Sequence, residues 1–294
     1  MLGYKFIEQH FHGAFGVNFS NCSVDDVVFV SKKMKEIGIY GFFPTLVTDT
    51  VENIKCQIDV IKQASEFQSD DAAKILGIHL EGIFINPLKK GIHDEKLFMA
   101  PTIDNYRLIE DDFIKIVTLA PESDKDRTLI NYLNNKGVKV QAGHCTESDL
   151  SGCSGITHLF NAMNGIHHRV SSTALSALLD DSVYVEVIAD GVHLSDDILK
   201  LIFKTKPLDK IILISDCLPC AGIGVNDGET YTFNFAGEKI YFDGVKAVSE
   251  AGTLAGSSML LPDIIKRLII NGFINDDEAF VLAKNVFKYH NIKV

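Results

Sequence analysis

The chain has 294 residues, 46% of them hydrophobic, enough to bury a large core and suited to one large α/β domain over residues 1–294. A formal net charge of −11 opposes phosphate backbones and argues against a nucleic-acid partner, while leaving room for a local basic pocket that takes a small anion. No apolar run approaches the roughly 18 residues that span a bilayer, and the opening MLGYKFIEQHFHG enters structure at once, so no membrane association and a cytoplasmic location are expected.

Short apolar runs of strand length alternate along the chain with polar or amphipathic stretches. Strands are expected over residues 4–12, 39–47, 75–81, 113–120, 138–144, 155–159, 183–189 and 210–216, with helices between several of them, notably 25–37, 51–67, 125–136 and 195–204. Eight strands alternating with helices predict a closed parallel (β/α)8 barrel of the TIM type, whose chemistry belongs at the C-terminal ends of the strands. Beyond the eighth strand, TYTFNFAGEKIYFDGVKAV alternates as a β-hairpin insertion over about residues 229–249, before closing helices near 258–271 and 277–289.

The segment 74–93, KILGIHLEGIFINPLKKGIH, places a carboxylate, Glu81, where a buried strand gives way to a long loop containing Pro87, Lys89, Lys90, Gly91 and His93. Glu81 is expected to hold a metal ion and His93 to reach a substrate bound beside it. Other strand ends repeat the pattern: His10 and His12 on the first, His144 on the fifth, His158 on the sixth, Asp190 and then His193 after the seventh, and Asp216 on the eighth. Side chains alternate across a strand, so His10 and His12 share one face and can point together into the barrel mouth. His144 and His158, from neighbouring strands, can meet Glu81 there. Imidazoles and carboxylates gathered in a partly buried mouth are costly to desolvate, and a divalent cation offsets that cost.

Blander roles compete at several positions. His79, inside a strand, suits a satisfied core histidine, H-x-H is a short and common pattern, and Asp216 could cap a helix. The six cysteines suit reduced thiols, and Cys217-Leu218-Pro219-Cys220 has no second pair with which to build a zinc site.

Longer phrases carry a resemblance. His79-Leu80-Glu81-Gly82, Lys89-Lys90-Gly91-Ile92-His93, Leu119-Ala120-Pro121-Glu122, Gly143-His144, Thr157-His158-Leu159-Phe160-Asn161-Ala162-Met163, Ala189-Asp190-Gly191-Val192-His193, Ser215-Asp216 and Gly252-Thr253-Leu254-Ala255-Gly256-Ser257 occur in this order over nearly the whole chain. Together they resemble the N-acetylglucosamine-6-phosphate deacetylases of the amidohydrolase superfamily. The resemblance implies a metal-dependent hydrolase that removes acetate from an amino-sugar phosphate. One or two ions of zinc, iron or manganese would be held by Glu81, His144 and His158, with His10 and His12 available for the second.

It further implies Asp216 as proton carrier, with His93 on the carbonyl oxygen and His193 on the sugar. Ile92, Asp190 and Leu254, Ala255 and Gly256 belong to the substrate pocket, and Arg169 with the backbone amides of Asn161 and Ala162 would take the phosphate. The arginine in such enzymes often serves a neighbouring subunit, which implies a homodimer.

The chain departs from the family pattern in places. The small β-sandwich usual in the family is expected to be largely absent, Ile83 replaces the usual proline, Ser215-Asp216-Cys217 replaces Thr-Asp-Ala, and Val follows Asn285. The short interval from His144 to His158 suggests a trimmed helix between the fifth and sixth strands. Alternatives are a dihydroorotase- or deaminase-like amidohydrolase, or a non-catalytic barrel that binds an amino-sugar phosphate. The first commonly uses a modified lysine at the end of strand four, where this chain has Thr118-Leu119-Ala120-Pro121 with Lys115 only at the strand's start. The second leaves Asp216 without a purpose.

Overall fold

A computed structural model describes residues 5–67, 69–226 and 228–293, so Tyr4, included in the first expected strand, lies outside the described residues. Eight parallel strands follow one another around a barrel: β1 (Phe6–Phe11), β2 (Ile39–Leu46), β3 (Ile78–Glu81), β4 (Ile114–Leu119), β5 (Lys139–Ala142), β6 (Gly155–Ile156), β7 (Tyr184–Ile188) and β8 (Ile211–Ile214). Each pairs with the next in chain order. The seam between β8 and β1 is drawn together by backbone hydrogen bonds. Asp216 N–H donates to the His10 carbonyl and His12 N–H to the Cys217 carbonyl, each at 2.9 Å, and the Glu8 carboxylate accepts Ser215 N–H at 3.0 Å.

Several strands end earlier than their apolar runs suggest. β5, β6 and β8 stop two residues short of His144, His158 and Asp216, whose φ angles of 48°, 31° and 52° turn the backbone out of the sheet. The expected third strand is split, with Lys74–Ile75 pairing to β2 ahead of β3. Gly77 separates the two pieces at φ 146°, where a Cβ would lie 2.3 Å from the Lys115 side chain.

Helices cover the outside of the barrel: α1 (Val24–Glu36), α2 (Val51–Glu66), α3 (Ile103–Arg107), α4 (Thr128–Asn135), α5 (Thr173–Leu179), α6 (Asp196–Thr205), α7 (Leu261–Ile270) and α8 (Asp276–Tyr289). Local sequence explains their starts. Ser23 and Asp26 form a capping box on α1, and Asn275 and Glu278 form one on α8. The suggested trimmed helix between β5 and β6 is absent among the described residues. That stretch is rich in serine, glycine and acidic residues, and its backbone is held by side chains instead: Glu122 accepts from Thr146 N–H at 2.7 Å and Arg127 grips Asp149 at 3.0 Å.

After β8 the chain forms an antiparallel sheet of β9 (Tyr231–Phe235), β10 (Glu238–Phe242), β11 (Ala247–Ser249) and β12 (Leu254–Gly256). Ala236 and Gly237, at φ 51° and 81°, make the tight turn joining its first two strands. This sheet packs Phe235, Ile240 and Phe242 into an apolar cluster with Val47, Ile92 and Leu218 beside the barrel mouth.

At the other end, α8 buries Val286, Phe287 and Tyr289 against residues of β1, β2, β4, β7 and β8. Asn285 fixes this helix. Its side-chain amide donates to the carbonyls of Leu208 and Ile211 at 2.8 and 2.7 Å, and the residue is fully buried. Asn285→Ala strands both carbonyls and is expected to lower stability by about 2–4 kcal/mol, measured by urea unfolding, with the metal content of the purified protein unchanged.

Candidate metal centre

Six strand ends and the loop after β3 bring their polar side chains to one mouth. Glu81, 2% exposed, stands at the centre and uses its two oxygens on opposite sides. Oε1 lies 3.2 Å from His144 Nε2 and 2.9 Å from His158 Nε2. Oε2 lies 3.0 Å from His12 Nε2 and 3.4 Å from His10 Nε2. Asp216 Oδ1 completes the second side, 3.1 Å from His12 Nε2 and 3.3 Å from His10 Nε2. Two adjoining donor sets therefore share one carboxylate.

The way the rings are held shows what belongs between these atoms. His144 Nδ1 faces the Lys89 carbonyl at 2.8 Å, His12 Nδ1 the Thr45 carbonyl at 3.3 Å, and His10 Nδ1 the Glu186 carboxylate at 2.9 Å. Carbonyl and carboxylate oxygens only accept, so all three Nδ1 atoms carry hydrogen and each Nε2 is left to take a proton or a cation. His10 Nε2 and Asp216 Oδ1 are buried without a hydrogen bond, and His144 Nε2 and His158 Nε2 are only 3.1 Å apart. Imidazole nitrogens and carboxylate oxygens converging at these distances suit a divalent cation. Zinc, iron or manganese are matched by a mixed nitrogen and oxygen donor set.

Electrostatics agree. Burial alone would push Glu81 up, but His10, His12 and His144 outweigh it and hold its carboxyl well below the usual range. Burial likewise opposes charge on His10, yet the carboxylates of Glu81, Glu186 and Asp216 carry its pKa well above 6.5. His12 and His158 are raised against burial by Asp216 and Glu81, and by Glu81, respectively. His93 is different, because burial and then the neighbouring His144 push it down to about 3, so the ring is neutral. Thr48 N–H points at His93 Nδ1 at 3.4 Å and Thr48 Oγ1 lies 2.9 Å from the same atom. Nδ1 is thus the acceptor, and His93 Nε2–H, 3.9 Å from Glu81 Oε2, is left as a donor facing the cluster.

Backbone strain collects at the same place. His144, His158 and Asp216 have positive φ, as does Ile83 at 61°, a conformation that is unfavourable for a β-branched side chain and closed to proline. Thr48 holds this turn too, since its Oγ1 accepts Ile83 N–H at 2.8 Å.

The cluster opens into a cavity of about 470 Å³ lined in part by Ile92, His93, Asn161, Ala162 and His193, and on the far side by Leu254, Ala255 and Gly256 of β12. Phe235 also lines it, with its ring centroid 5.0 Å from that of His12.

Two expectations need correction, and a third residue lies away from this chain's own cavity. Arg169 stands outside this cavity on an exposed stretch, with its Nε 2.8 Å from His168 Nε2. The Asn161 backbone N–H already donates to the His158 carbonyl at 2.9 Å and is not free for an anion. Asp190 does not line the cavity. Its Oδ1 accepts the N–H groups of Val192 and His193, and its Oδ2 lies 2.8 Å from His193 Nδ1, so it positions the histidine.

Other residues went unread in the sequence. Lys89 and Lys90 line the cavity as its lysines, although the sequence marks them only as part of a loop. Thr48 gives no sequence signal. Glu186 does give one, being the single acid in Tyr-Val-Glu-Val-Ile, whereas Glu8 sits beside Gln9 and His10 in a mixed strand. His79 is a satisfied core residue, 3.2 Å from the Gln9 carbonyl and 2.8 Å from Thr118 Oγ1.

No protein-family model matches the chain. It is 33% identical over 264 residues to the N-acetylglucosamine-6-phosphate deacetylase of Bacillus subtilis (strain 168), covering 85% of this chain and 65% of that one. It is 31% identical to the deacetylase of the same name from Caenorhabditis elegans, covering 92% and 68%. The crystal structure of N-acetylglucosamine-6-phosphate deacetylase from Thermotoga maritima superimposes with a TM-score of 0.88 at 28% identity over 98% of this chain and 78% of that one. The chain thus spans about two thirds of the length of the curated relatives it matches.

The raised pKa values of His10, His12 and His158 mean that in the ion-free protein protons occupy the Nε2 positions a cation needs. Loading must expel them, so zinc affinity is expected to increase as pH rises from about 6 to about 8. Calorimetric titration in two buffers of different ionisation enthalpy should report net proton release.

Proposed function

The chain belongs to the N-acetylglucosamine-6-phosphate deacetylase family of the amidohydrolase superfamily, and on that premise we propose that it hydrolyses N-acetyl-D-glucosamine 6-phosphate to D-glucosamine 6-phosphate and acetate. The observation that carries this reading is the pair of donor sets around Glu81 with Asp216 beside them. A divalent cation there would lower the pKa of water to about 7 and polarise an amide carbonyl.

The chain's own residues supply the rest of the reaction. His144 and His158 with Glu81 Oε1 form one ligand set, and His10, His12, Glu81 Oε2 and Asp216 the other. As water oxygen bonds to the acetyl carbon, Asp216 accepts the water's proton. The same carboxyl then gives that proton to nitrogen as the carbon–nitrogen bond breaks, so the amino sugar departs as a neutral amine. His93 donates from Nε2 to the carbonyl oxygen as negative charge develops, a role for which its neutral ring and acceptor Nδ1 are suited.

We assign sugar contacts to His193, Ile92, Asn161, Ala162 and Leu254 to Gly256, all on the cavity wall. Lys89 and Lys90 bring positive charge to that wall for the phosphate. Arg169, exposed beside Ile166 and Val170, is suited to reach into the cavity of a second copy, and the exposed apolar side chains next to it favour a homodimer. A phosphorylated sugar does not cross a bilayer unaided, which fits a cytoplasmic enzyme working as one barrel domain over residues 1–294. A lysine-bridged site of the dihydroorotase kind finds no support here. Lys115 is exposed at the start of β4 and donates to the Asp112 carbonyl.

Zinc-, manganese- or iron-loaded protein is expected to release acetate from the 6-phosphate and far more slowly from the unphosphorylated sugar. Asp216→Asn should keep at least one metal equivalent while kcat falls by about 10²–10⁴; an active Asp216→Asn enzyme would refute the proton-carrier role. Gly82 has φ 115°, and a Cβ there would sit 2.1 Å from Thr48 Oγ1 and 2.9 Å from His93 Nδ1. Gly82→Ala should therefore lower kcat by displacing His93, with zinc content retained by elemental analysis.

A further inference from the structure

Glu186 lies in the middle of β7, in the run Tyr-Val-Glu-Val-Ile, and is 1% exposed. Buried carboxylates are costly unless their acceptor sites are filled. This one is filled from two parts of the cluster. Oε2 accepts His10 Nδ1–H at 2.9 Å and the backbone N–H of His158 at 3.3 Å, and Oε1 accepts the Gln9 amide at 2.6 Å. Gln9 is held in turn by His290, whose Nε2 lies 3.1 Å from Gln9 Oε1.

We propose that Glu186 is a positioning residue that keeps the last ring proton of His10 on Nδ1, and so decides whether the β1 side of the site accepts a cation of its own. The inference rests on the reading of the Glu81 cluster as a metal centre. His10 is fully buried and lies between competing acceptors. Glu81 Oε2 and Asp216 Oδ1 stand 3.4 and 3.3 Å from Nε2, and Glu186 stands 2.9 Å from Nδ1. Without Glu186, a neutral His10 would place its single proton on Nε2, between the two carboxylates, where it blocks coordination. With Glu186 as acceptor at 2.9 Å, the neutral ring carries its single hydrogen on Nδ1 and turns the Nε2 lone pair toward Glu81 and Asp216. His144 and His158 meet Glu81 Oε1 on the far side, and Glu186 touches that pair through the His158 backbone N–H and not through either ring. The effect should therefore be unequal between the two donor sets.

The test is a zinc-competition titration of the full chain and of Glu186→Gln, which keeps the shape of the side chain but has one acceptor oxygen where three donors share two. Wild-type protein is expected to bind two equivalents. In the variant one equivalent should weaken by about 10–100-fold while the other changes little. Equal weakening of both, no change in either, or a wild-type protein with a single equivalent indifferent to the substitution would overturn the proposal.

Proton NMR of the zinc-loaded wild type gives a second readout that needs no variant. A slowly exchanging His10 Nδ1–H resonance is expected, and its absence counts against the proposal. Acetate release measured alongside separates the two readings. Two-equivalent binding that depends on Glu186, with no turnover, would sink the proposed activity and leave this inference standing.

Discussion

The site depends on one carboxylate serving two sides. Glu81 has lost nearly all contact with water, and burial alone would favour its neutral form. Imidazoles approaching both oxygens favour its anion, and three of these buried rings, His10, His12 and His144, are held from behind by carbonyls or by Glu186. Such an arrangement cannot satisfy itself internally, because too many acceptors and lone pairs face the same small volume. A cation resolves the conflict. The barrel can be understood as the scaffold that holds these groups together when water would otherwise separate them.

That scaffold is not filled with hydrocarbon alone. Beneath the mouth, Glu186 joins Gln9 and then His290, while His79, Thr118, Thr157 and Gln141 form a second hydrogen-bonded series. Buried polar series of this kind fix side-chain orientation where their members are satisfied, as His79, Thr118 and Thr157 are, while the Gln141 amide nitrogen at the end of the second series is buried without a partner. The cluster is therefore braced from below by hydrogen bonds and from the side by the Phe235 ring against His12.

Much of this was legible in the chain itself. Apolar runs alternating with amphipathic stretches located all eight strands, because a strand covered on both faces must be apolar nearly throughout. The convergence of His10, His12, Glu81, His144, His158 and Asp216 followed from their common place at strand ends. The ends themselves were misjudged by a few residues, since positive φ at His144, His158 and Asp216 leaves no trace in hydrophobicity. Arg169 shows in the sequence only as a cation, because where an exposed arginine points is set by tertiary packing. Glu186 gives a signal whose meaning is equally non-local. An acid within Val-Glu-Val looks like an interruption of a strand until its partner, 176 residues away in sequence, is known.

The seam of the barrel carries a last implication. β1 and β8 are joined through the backbone of His10, His12, Asp216 and Cys217, so the contacts that complete the cylinder are made by the residues that complete the ligand set. These partners lie about two hundred positions apart, which makes their meeting one of the most entropically demanding events of folding. A chain in which β1 and β8 have not met therefore lacks the second donor set, even where Glu81, His144 and His158 already stand together. His10, His12 and Asp216 share one volume only in the closed cylinder, so closure of the barrel and completion of the site are the same event.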